Sequence, residues 1–498
     1  MKQEKQVSGT LSRRTFLTTT ASAAAAVTIL PSHVVAGLGH RPPSDKLNIA
    51  GIGVGGMGYR NLRNMDTENI VALCDVDWDY AGRNAFKQWT RAKLYKDYRV
   101  MFDQQKDIDA VMIATPDHSH ALPAVMAMRS GYHVYVQKPL THSVYESRVL
   151  AETARTYRVA TQMGNQGNSG DGIRQICEWI WAGTIGEVTR VDAWTNRPIW
   201  PQGLERPEKS MRVPKNLDWN LFLGTAPERP YHEIYTPWNW RGWWDFGTGA
   251  LGDMACHILD PVFMALKLEY PVAVQASSTP INMESAPNAE FVKYEFPRRD
   301  NLPKVAMPEL TVNWYDGGMM PPRPDELLDG EPMGDADGGC IFYGTRGKIM
   351  CGTYARNPQL LPTREMEHFN QPPRILRRIT KAMEGGHEQD WIRACKENRE
   401  TRLEASSHFG YSGPLNEMMV MGVLAVRLQS LNRKLLWDGK NMQFTNISSS
   451  DQIRTLTKDR FEIVNGDPKF NKEYKTLPAA AMAEEWIRHN YREGWEQI

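Results

Sequence analysis

Asp253 and His257 stand four residues apart, directly after the turn Gly249-Ala250-Leu251-Gly252. On a helix that spacing places both side chains on one face. An imidazole can take a proton from a hydroxyl and return it near neutral pH, and a carboxylate beside it can hold or orient a neighbouring hydroxyl. Far upstream, Lys138 in Gln137-Lys138-Pro139 offers a cation for negative charge developing on oxygen. The pair alone is equally consistent with an acid at a helix start and a histidine that merely packs. A second group of residues is suited to phosphate. Gly51, Gly53 and Gly56 fit G-x-G-x-x-G, with Met57 following, and Asp75 lies 19 residues after Gly56. In that fingerprint the first glycine makes the turn, the second admits a pyrophosphate and the third lets helix pack on strand. The acid would accept hydrogen bonds from both ribose hydroxyls and repel a 2′-phosphate, which favours NAD over NADP.

These residues need elements to hold them. Short apolar runs at Leu47–Ile52, Ile70–Cys74, Ala110–Ala114, His133–Val136 and Val159–Met163 alternate with helical stretches. That is the pattern of a doubly wound parallel sheet with helices on both faces. Ligand groups in such sheets sit on loops at the strand C-terminal ends. Three such loops are rich in functional groups: Thr115-Pro116-Asp117-His118-Ser119-His120, Gln137-Lys138-Pro139-Leu140 and Gly164-Asn165-Gln166-Gly167. Thr115, Pro116, His118, His120, Gln137, Lys138, Asn165 and Gln166 are candidates to bind the cofactor, His118 and His120 at its nicotinamide end. His118 and His120 lack a nearby third ligand, so a zinc site is the weaker reading and no metal is expected. Cys256 neighbours His257 in sequence, but adjacent helix residues point about 100° apart, so it is read as packing.

Downstream, strand-like runs at Glu187–Thr195, Val272–Ser278, Glu290–Phe296, Glu309–Tyr315, Gly339–Tyr343 and Lys348–Thr353 predict a second sheet. Helices are predicted at Gly170–Ala182, Gly385–Asn398 and Gly413–Leu431. His387 and Asp390 open the second of these and are read as packing or capping. A long segment, Asn196–Phe246, is rich in Trp, Pro and Arg, and its length argues for a function or an interface. Nine of the 16 tryptophans fall between Trp179 and Trp244. Trp240, Arg241 and Trp243 are candidates for the substrate: indole faces stack on sugar rings and Arg binds hydroxyls or carboxylates. Aromatic core packing is the even alternative.

At these motifs the chain resembles the Gfo/Idh/MocA oxidoreductases, from Leu47 onward. The resemblance rests on the glycine fingerprint, on Gln137-Lys138-Pro139 where the family carries Glu-Lys-Pro, and on the Asp253…His257 helix. It implies an α/β protein: an N-terminal Rossmann domain and a C-terminal α/β domain with a large open, mostly antiparallel sheet. It also implies Lys138, Asp253 and His257 as catalytic residues. The expected boundaries are 1–44 for a signal and linker, 45–168 for the NAD-binding domain and 169–498 for a substrate-binding and oligomerisation domain. Gln137 departs from the family and removes a negative charge beside Lys138.

Charge and composition exclude other classes. The chain has 59 Lys and Arg against 58 Asp and Glu, so no basic field exists to hold nucleic acid. Its 41% hydrophobic content is that of a folded globular protein. The six cysteines include no C-x-x-C pair, against a zinc knuckle or a disulfide scaffold. Ser12-Arg13-Arg14-Thr15-Phe16-Leu17, an apolar run from Thr18 to Leu30 and Val34-Val35-Ala36 read as a twin-arginine export signal with a cleavage site. That run is too short to span a bilayer. The expectation is therefore a periplasmic homo-oligomer, passed through the twin-arginine machinery with tightly held NAD, that oxidises a secondary hydroxyl of a sugar or glycoside. The competing enzyme is a glycosidase of the same fold that uses NAD transiently. The non-enzymatic competitor is a cofactor-dependent sugar-binding or assembly protein.

Overall fold

The computed structural model describes residues 45–300 and 308–498. The export signal lies outside the described residues. Six strands form the first sheet: β1 (Asn48–Ile52), β2 (Asn69–Cys74), β3 (Lys93–Tyr95), β4 (Ala110–Ile113), β5 (His133–Val136) and β6 (Thr161–Met163). Their order is β3-β2-β1-β4-β5-β6 and every pairing is parallel. This is the Rossmann order, whose chain reversal at β1/β4 opens a crevice at the strand C-terminal ends. β1 and β4 are nearly continuous apolar runs because helices cover both faces. Helix α1 (Gly56–Asn64) follows β1, α2 (Ala121–Arg129) follows β4 and α3 (Val144–Tyr157) follows β5. A capping box starts α3: Glu146 N donates to Ser143 Oγ at 3.2 Å and Ser143 N donates to Glu146 Oε2 at 3.0 Å.

Helix α4 (Asp171–Trp181) leads into a nine-stranded sheet. It holds β7 (Val188–Thr195), β8 (Ala273–Ser278), β9 (Glu290–Phe296), β10 (Leu310–Tyr315), β11 (Gly338–Gly344), β12 (Lys348–Gly352), β13 (Gln359–Leu361), β14 (Leu435–Asp438) and β15 (Gln443–Phe444). Only β7 and β10 pair in parallel; the other pairings are antiparallel. Strands β9 and β10 alternate buried and half-buried residues, the period of a sheet covered on one face. Helices α5 (Gly249–Ile258) and α7 (Phe409–Leu428) supply much of that cover, and α6 (Gly386–Lys396) returns to pack on α1 of the first half. The Val159–Met163 strand begins two residues later than its apolar run suggests. Four short strands, β3, β13, β14 and β15, and the two-stranded ribbon of β16 (Gln452–Val464) and β17 (Asp467–Pro478) were not legible. The ribbon's alternation is mostly polar, so no apolar period marks it.

The glycine fingerprint falls two residues later than the sequence alone suggests. Gly51 lies inside β1, where a Cβ would meet only the side-chain ends of Leu62 and Val54, 2.8 Å away. The turn is made by Gly53, at φ +72°, where a Cβ would sit 2.7 Å from the Ala114 backbone. The third glycine is Gly58: a side chain there would be driven into the Gly53 carbonyl oxygen. Gly53-Val54-Gly55-Gly56-Met57-Gly58 is thus the loop that turns, admits a ligand and packs helix on strand. Gly58→Ala should destabilise more than Gly51→Ala, by roughly the 1–3 kcal/mol of an overpacked core, and should abolish nucleotide retention. Equal melting temperatures and equal retention in the two variants would refute this register.

Candidate active site

Lys138 follows the C-terminal end of β5, and Asp253 and His257 sit on α5. The fold brings them together. Lys138 Nζ donates to Asp253 Oδ1 at 2.8 Å and to the Asp253 carbonyl at 3.2 Å. All ten residues of α5 are buried. The helix is fixed to the Rossmann half at its start: Thr248 N and Oγ1 donate to Asp117 Oδ2 at 3.1 and 2.8 Å. Asp253 Oδ1 accepts a second charged bond, from Arg241 Nε at 3.1 Å. The Arg241 guanidinium lies 4.0 Å from the ring centre of Trp238 and 4.3 Å from that of Trp240, so two indole faces hold it in place.

Burial opposes ionisation of Asp253, but Lys138 and Arg241 outweigh it and hold the carboxyl well below the usual range. Burial likewise opposes the charge on Lys138, and Asp253 more than restores it, raising the ammonium above its ordinary value. Lys138 is therefore a fixed cation rather than a base. Burial, reinforced by Lys138, drives His257 well below its ordinary value, with Asp253 opposing. The imidazole is neutral and able to accept a proton. Its Nδ1 is buried without a hydrogen-bond partner. Cys256 Sγ donates to the Asp253 carbonyl at 3.2 Å, a packing role.

Gln137 is buried and donates from Nε2 to Asn61 Oδ1 at 2.9 Å, while Asn61 Nδ2 donates to Glu388 Oε1 at 2.7 Å. A carboxylate thus reaches this position by relay from α6. His387 beside it is fully buried, with Nδ1 2.7 Å from Ser169 Oγ and Nε2 2.8 Å from the Met163 carbonyl.

Several expected contacts are placed differently. His118 is enclosed by the backbone, its ring nitrogens 3.1–3.3 Å from the carbonyls of Phe222, Leu223 and Phe246. Burial lowers its pKa to about 4, so it supports the Trp-rich segment rather than a nicotinamide. His120 bridges the Thr115 and Pro139 carbonyls, each at 2.8 Å, and braces the loop that carries Lys138. Thr115 Oγ1 closes its own loop on the Ser119 carbonyl at 3.1 Å. Pro116 starts that loop's single turn. Asn165 is buried and committed to Asp260 at 2.9 Å, whereas Gln166 reaches only the Tyr135 hydroxyl, at 3.4 Å. Trp243 is fully buried in an aromatic core with Tyr235 and Phe246, so it is packing and not a substrate platform. Trp240 and Arg241 remain at the site. Among the described residues no group of three or more His, Cys, Asp or Glu is placed to hold a metal ion.

The residues at the glycine loop suit a dinucleotide. Asp75 closes β2 beside that loop; Val54 N and Asp77 N donate to its carboxylate at 2.8 and 2.9 Å, and Gly55 N at 3.3 Å. A carboxylate has about four acceptor positions, so one is left for a ribose hydroxyl, not two. Burial raises its pKa to about 6, leaving it ionised at neutral pH. The Tyr80 ring lies on the side to which side chains of Gly55 and Gly56 would point. Met57, next in the loop, is exposed.

A Rossmann sheet joined to an open, mostly antiparallel sheet, with a lysine, an aspartate and a histidine brought together, is an arrangement suited to a nicotinamide cofactor. Residues 47–165 match the family model described as oxidoreductase family, NAD-binding Rossmann fold. Residues 175–298 match that family's C-terminal alpha/beta domain. Both matches are to the Gfo/Idh/MocA oxidoreductases. It is 28% identical over 194 residues to "Glycosyl hydrolase family 109 protein 2" of Akkermansia muciniphila, a match covering 35% of this chain and 41% of that protein. It is 30% identical over 149 residues to inositol 2-dehydrogenase of Salmonella paratyphi B, covering 29% of this chain and 44% of that one. The chain therefore spans less than half the length of these curated relatives. The structure of the WlbA dehydrogenase from Bordetella pertussis in complex with NADH and UDP-GlcNAcA aligns with a TM-score of 0.53 at 14% identity, over 79% of this chain and 99% of that chain. That likeness concerns the fold.

Asp117 offers a check on the helix anchor. Burial raises its pKa from 3.8 to about 7. Because the folded value exceeds the unfolded one, its ionisation lowers stability as pH rises from about 4 to about 7. Asp117→Asn keeps an acceptor for Thr248, so calorimetry should show it melting higher than the wild type at about pH 8 and level with it at about pH 4. A deficit that grows toward high pH would contradict the assignment.

Proposed function

We propose that this protein is an NAD-dependent oxidoreductase acting on a secondary hydroxyl of a sugar or glycoside. The observation that carries this is the Lys138–Asp253 ion pair beside a neutral, buried His257, at the C-terminal edge of the Rossmann sheet. NAD, when bound, supplies the acceptor for the hydride that leaves the carbinol carbon. The protein's residues handle the proton and the charge. His257 takes the hydroxyl proton. Lys138 stabilises the negative charge on oxygen as that proton leaves. Asp253 keeps Lys138 charged and, with Arg241, sets where the hydroxyl can lie. Trp240 and Trp238 flank that space through Arg241. Residues 45–168 and 169–498 are assigned to nucleotide and substrate respectively, and the second part to self-association. The motif at Arg13 and Arg14 is assigned to periplasmic export by the twin-arginine route with the cofactor already loaded.

The relative named for a glycosyl hydrolase family supports a second reading, transient oxidation followed by elimination and hydration. Mass spectrometry of products from a panel of sugars and glycosides separates the two. Dehydrogenation gives a product lighter by two hydrogens; the glycosidase gives a cleaved glycoside with no net oxidation. His257→Ala should reduce turnover by roughly 10²–10⁴-fold, as loss of a general base does, with bound NAD and melting temperature retained. Lys138→Ala should also lose rate, and the double variant should lose less than the product of the two effects. A His257→Ala protein that melts early yet keeps full specific activity would sink this mechanism. Replacing Arg13 and Arg14 by Lys should leave the protein cytoplasmic in cell fractionation; unchanged export would remove the twin-arginine assignment.

A further inference from the structure

One aromatic residue at the site belongs to no motif. The Tyr354 ring packs on the His257 imidazole, ring centres 4.5 Å apart at 57°. It is half-buried. The charges of Lys138, Asp253 and Arg356 all act on its hydroxyl. The Arg356 guanidinium lies over the ring, 4.9 Å from its centre.

The backbone that presents Tyr354 is unusual. Tyr354 has φ +62°, Ala355 +57° and Asn357 +48°, three non-glycine residues in left-handed conformation within four positions. Such conformations persist only where the surroundings enforce them, and they concentrate at functional sites. Here the surroundings do enforce them. Thr353 N and Oγ1 both donate to the Asp335 carboxylate at 2.9 Å. Asp337 N and Gly338 N donate to the same carboxylate at 3.0 and 3.1 Å. Gly352 N donates to the Arg356 carbonyl at 2.8 Å. Two glycines make room for the turn: a Cβ on Gly167 would come within 3.0 Å of the Tyr354 Cβ, and one on Gly172 would strike the Ala355 carbonyl. A turn that only joined β12 to β13 would need neither this clamp nor this strain.

We propose that Tyr354 is a further residue of the active site: its ring positions the His257 imidazole and shields it from water, and its hydroxyl contacts the substrate. The substrate contact rests on the dehydrogenase reading; the contact with His257 does not. Lys138, Asp253 and Arg356 act on both the Tyr354 hydroxyl and the imidazole, Cys256 on the hydroxyl and His387 on the imidazole. Removing the phenol oxygen alone should therefore weaken substrate binding, and removing the ring should also alter the base.

The experiment compares Tyr354→Phe and Tyr354→Leu with the wild type, all as the NAD-loaded full chain. Two readouts are used: steady-state kinetics on hexoses, methyl glycosides and myo-inositol, and NMR titration of ¹⁵N-labelled histidine without substrate. Tyr354→Phe should raise KM roughly tenfold, the effect of one lost hydrogen bond, with kcat within about threefold and the His257 titration unchanged. Tyr354→Leu should in addition lower kcat and move the His257 titration up toward the ordinary histidine value of about 6.5. If the wild type oxidises none of the panel, the dehydrogenase reading fails, while a shifted imidazole in Tyr354→Leu still supports the positioning role. An unchanged His257 titration in Tyr354→Leu overturns that role. Wild-type KM in a folded Tyr354→Phe protein overturns the substrate contact.

Discussion

The structure depends on one ion pair. Lys138 comes from a loop of the Rossmann half and Asp253 from a helix of the second half, and their bond at 2.8 Å joins the halves with two charges. Neither charge is well solvated there, so each is maintained by the other. This explains the opposite displacements of the two groups, the carboxyl held ionised and the ammonium held charged. The Asp117–Thr248 contact anchors the start of α5, and the ion pair fixes the helix one turn further on. His257 lies one more turn along the same face, so its backbone is placed by the two anchors, while its ring packs against Tyr354.

Arg241 changes the meaning of that pair. One carboxylate oxygen receives both Lys138 and Arg241, so two cations share a single anion and a positive charge is left uncompensated. With His257 neutral, no imidazolium adds to that surplus, which in the proposed reaction would stabilise the oxygen that loses its proton. Charge fixed before the reaction stabilises an alkoxide without reorganisation, which is the most effective form of electrostatic stabilisation. The two indoles holding Arg241 supply rigidity without adding counter-charge.

Much of this was legible in the sequence, for definite reasons. The alternation of apolar runs with helical stretches marked five of the six Rossmann strands, because strands buried on both faces must be apolar throughout. Lys138, Asp253 and His257 were legible because each sits in a short motif. The glycine register was not: glycines at 51, 53, 55, 56 and 58 satisfy the same spacing twice, and only φ at Gly53 and the contact at Gly58 tell the two apart. His118 and Trp243 carry the right chemistry at the wrong depth, and burial by a remote segment leaves no local signature. Tyr354 was illegible for the opposite reason: left-handed backbone at a tyrosine has no sequence signal, since no residue type there favours it.

The Trp-rich segment shows how packing and site construction coincide. Trp219, Phe222, Tyr231, Tyr235, Trp243 and Phe246 form a small aromatic core of their own, and its interior would suffice to make the segment compact. Yet its last residues run directly into α5, and the backbone carbonyls of Phe222, Leu223 and Phe246 enclose His118 of the Rossmann half. The aromatic core therefore sets the distance between the β4 loop and the start of α5. Arg241 lies between the buried Trp240 and the half-exposed Trp238, at the edge where this core opens toward Asp253. A loop of this length held only by polar contacts would let that edge drift. The aromatic mass is what turns a long connection into a rigid wall of the site.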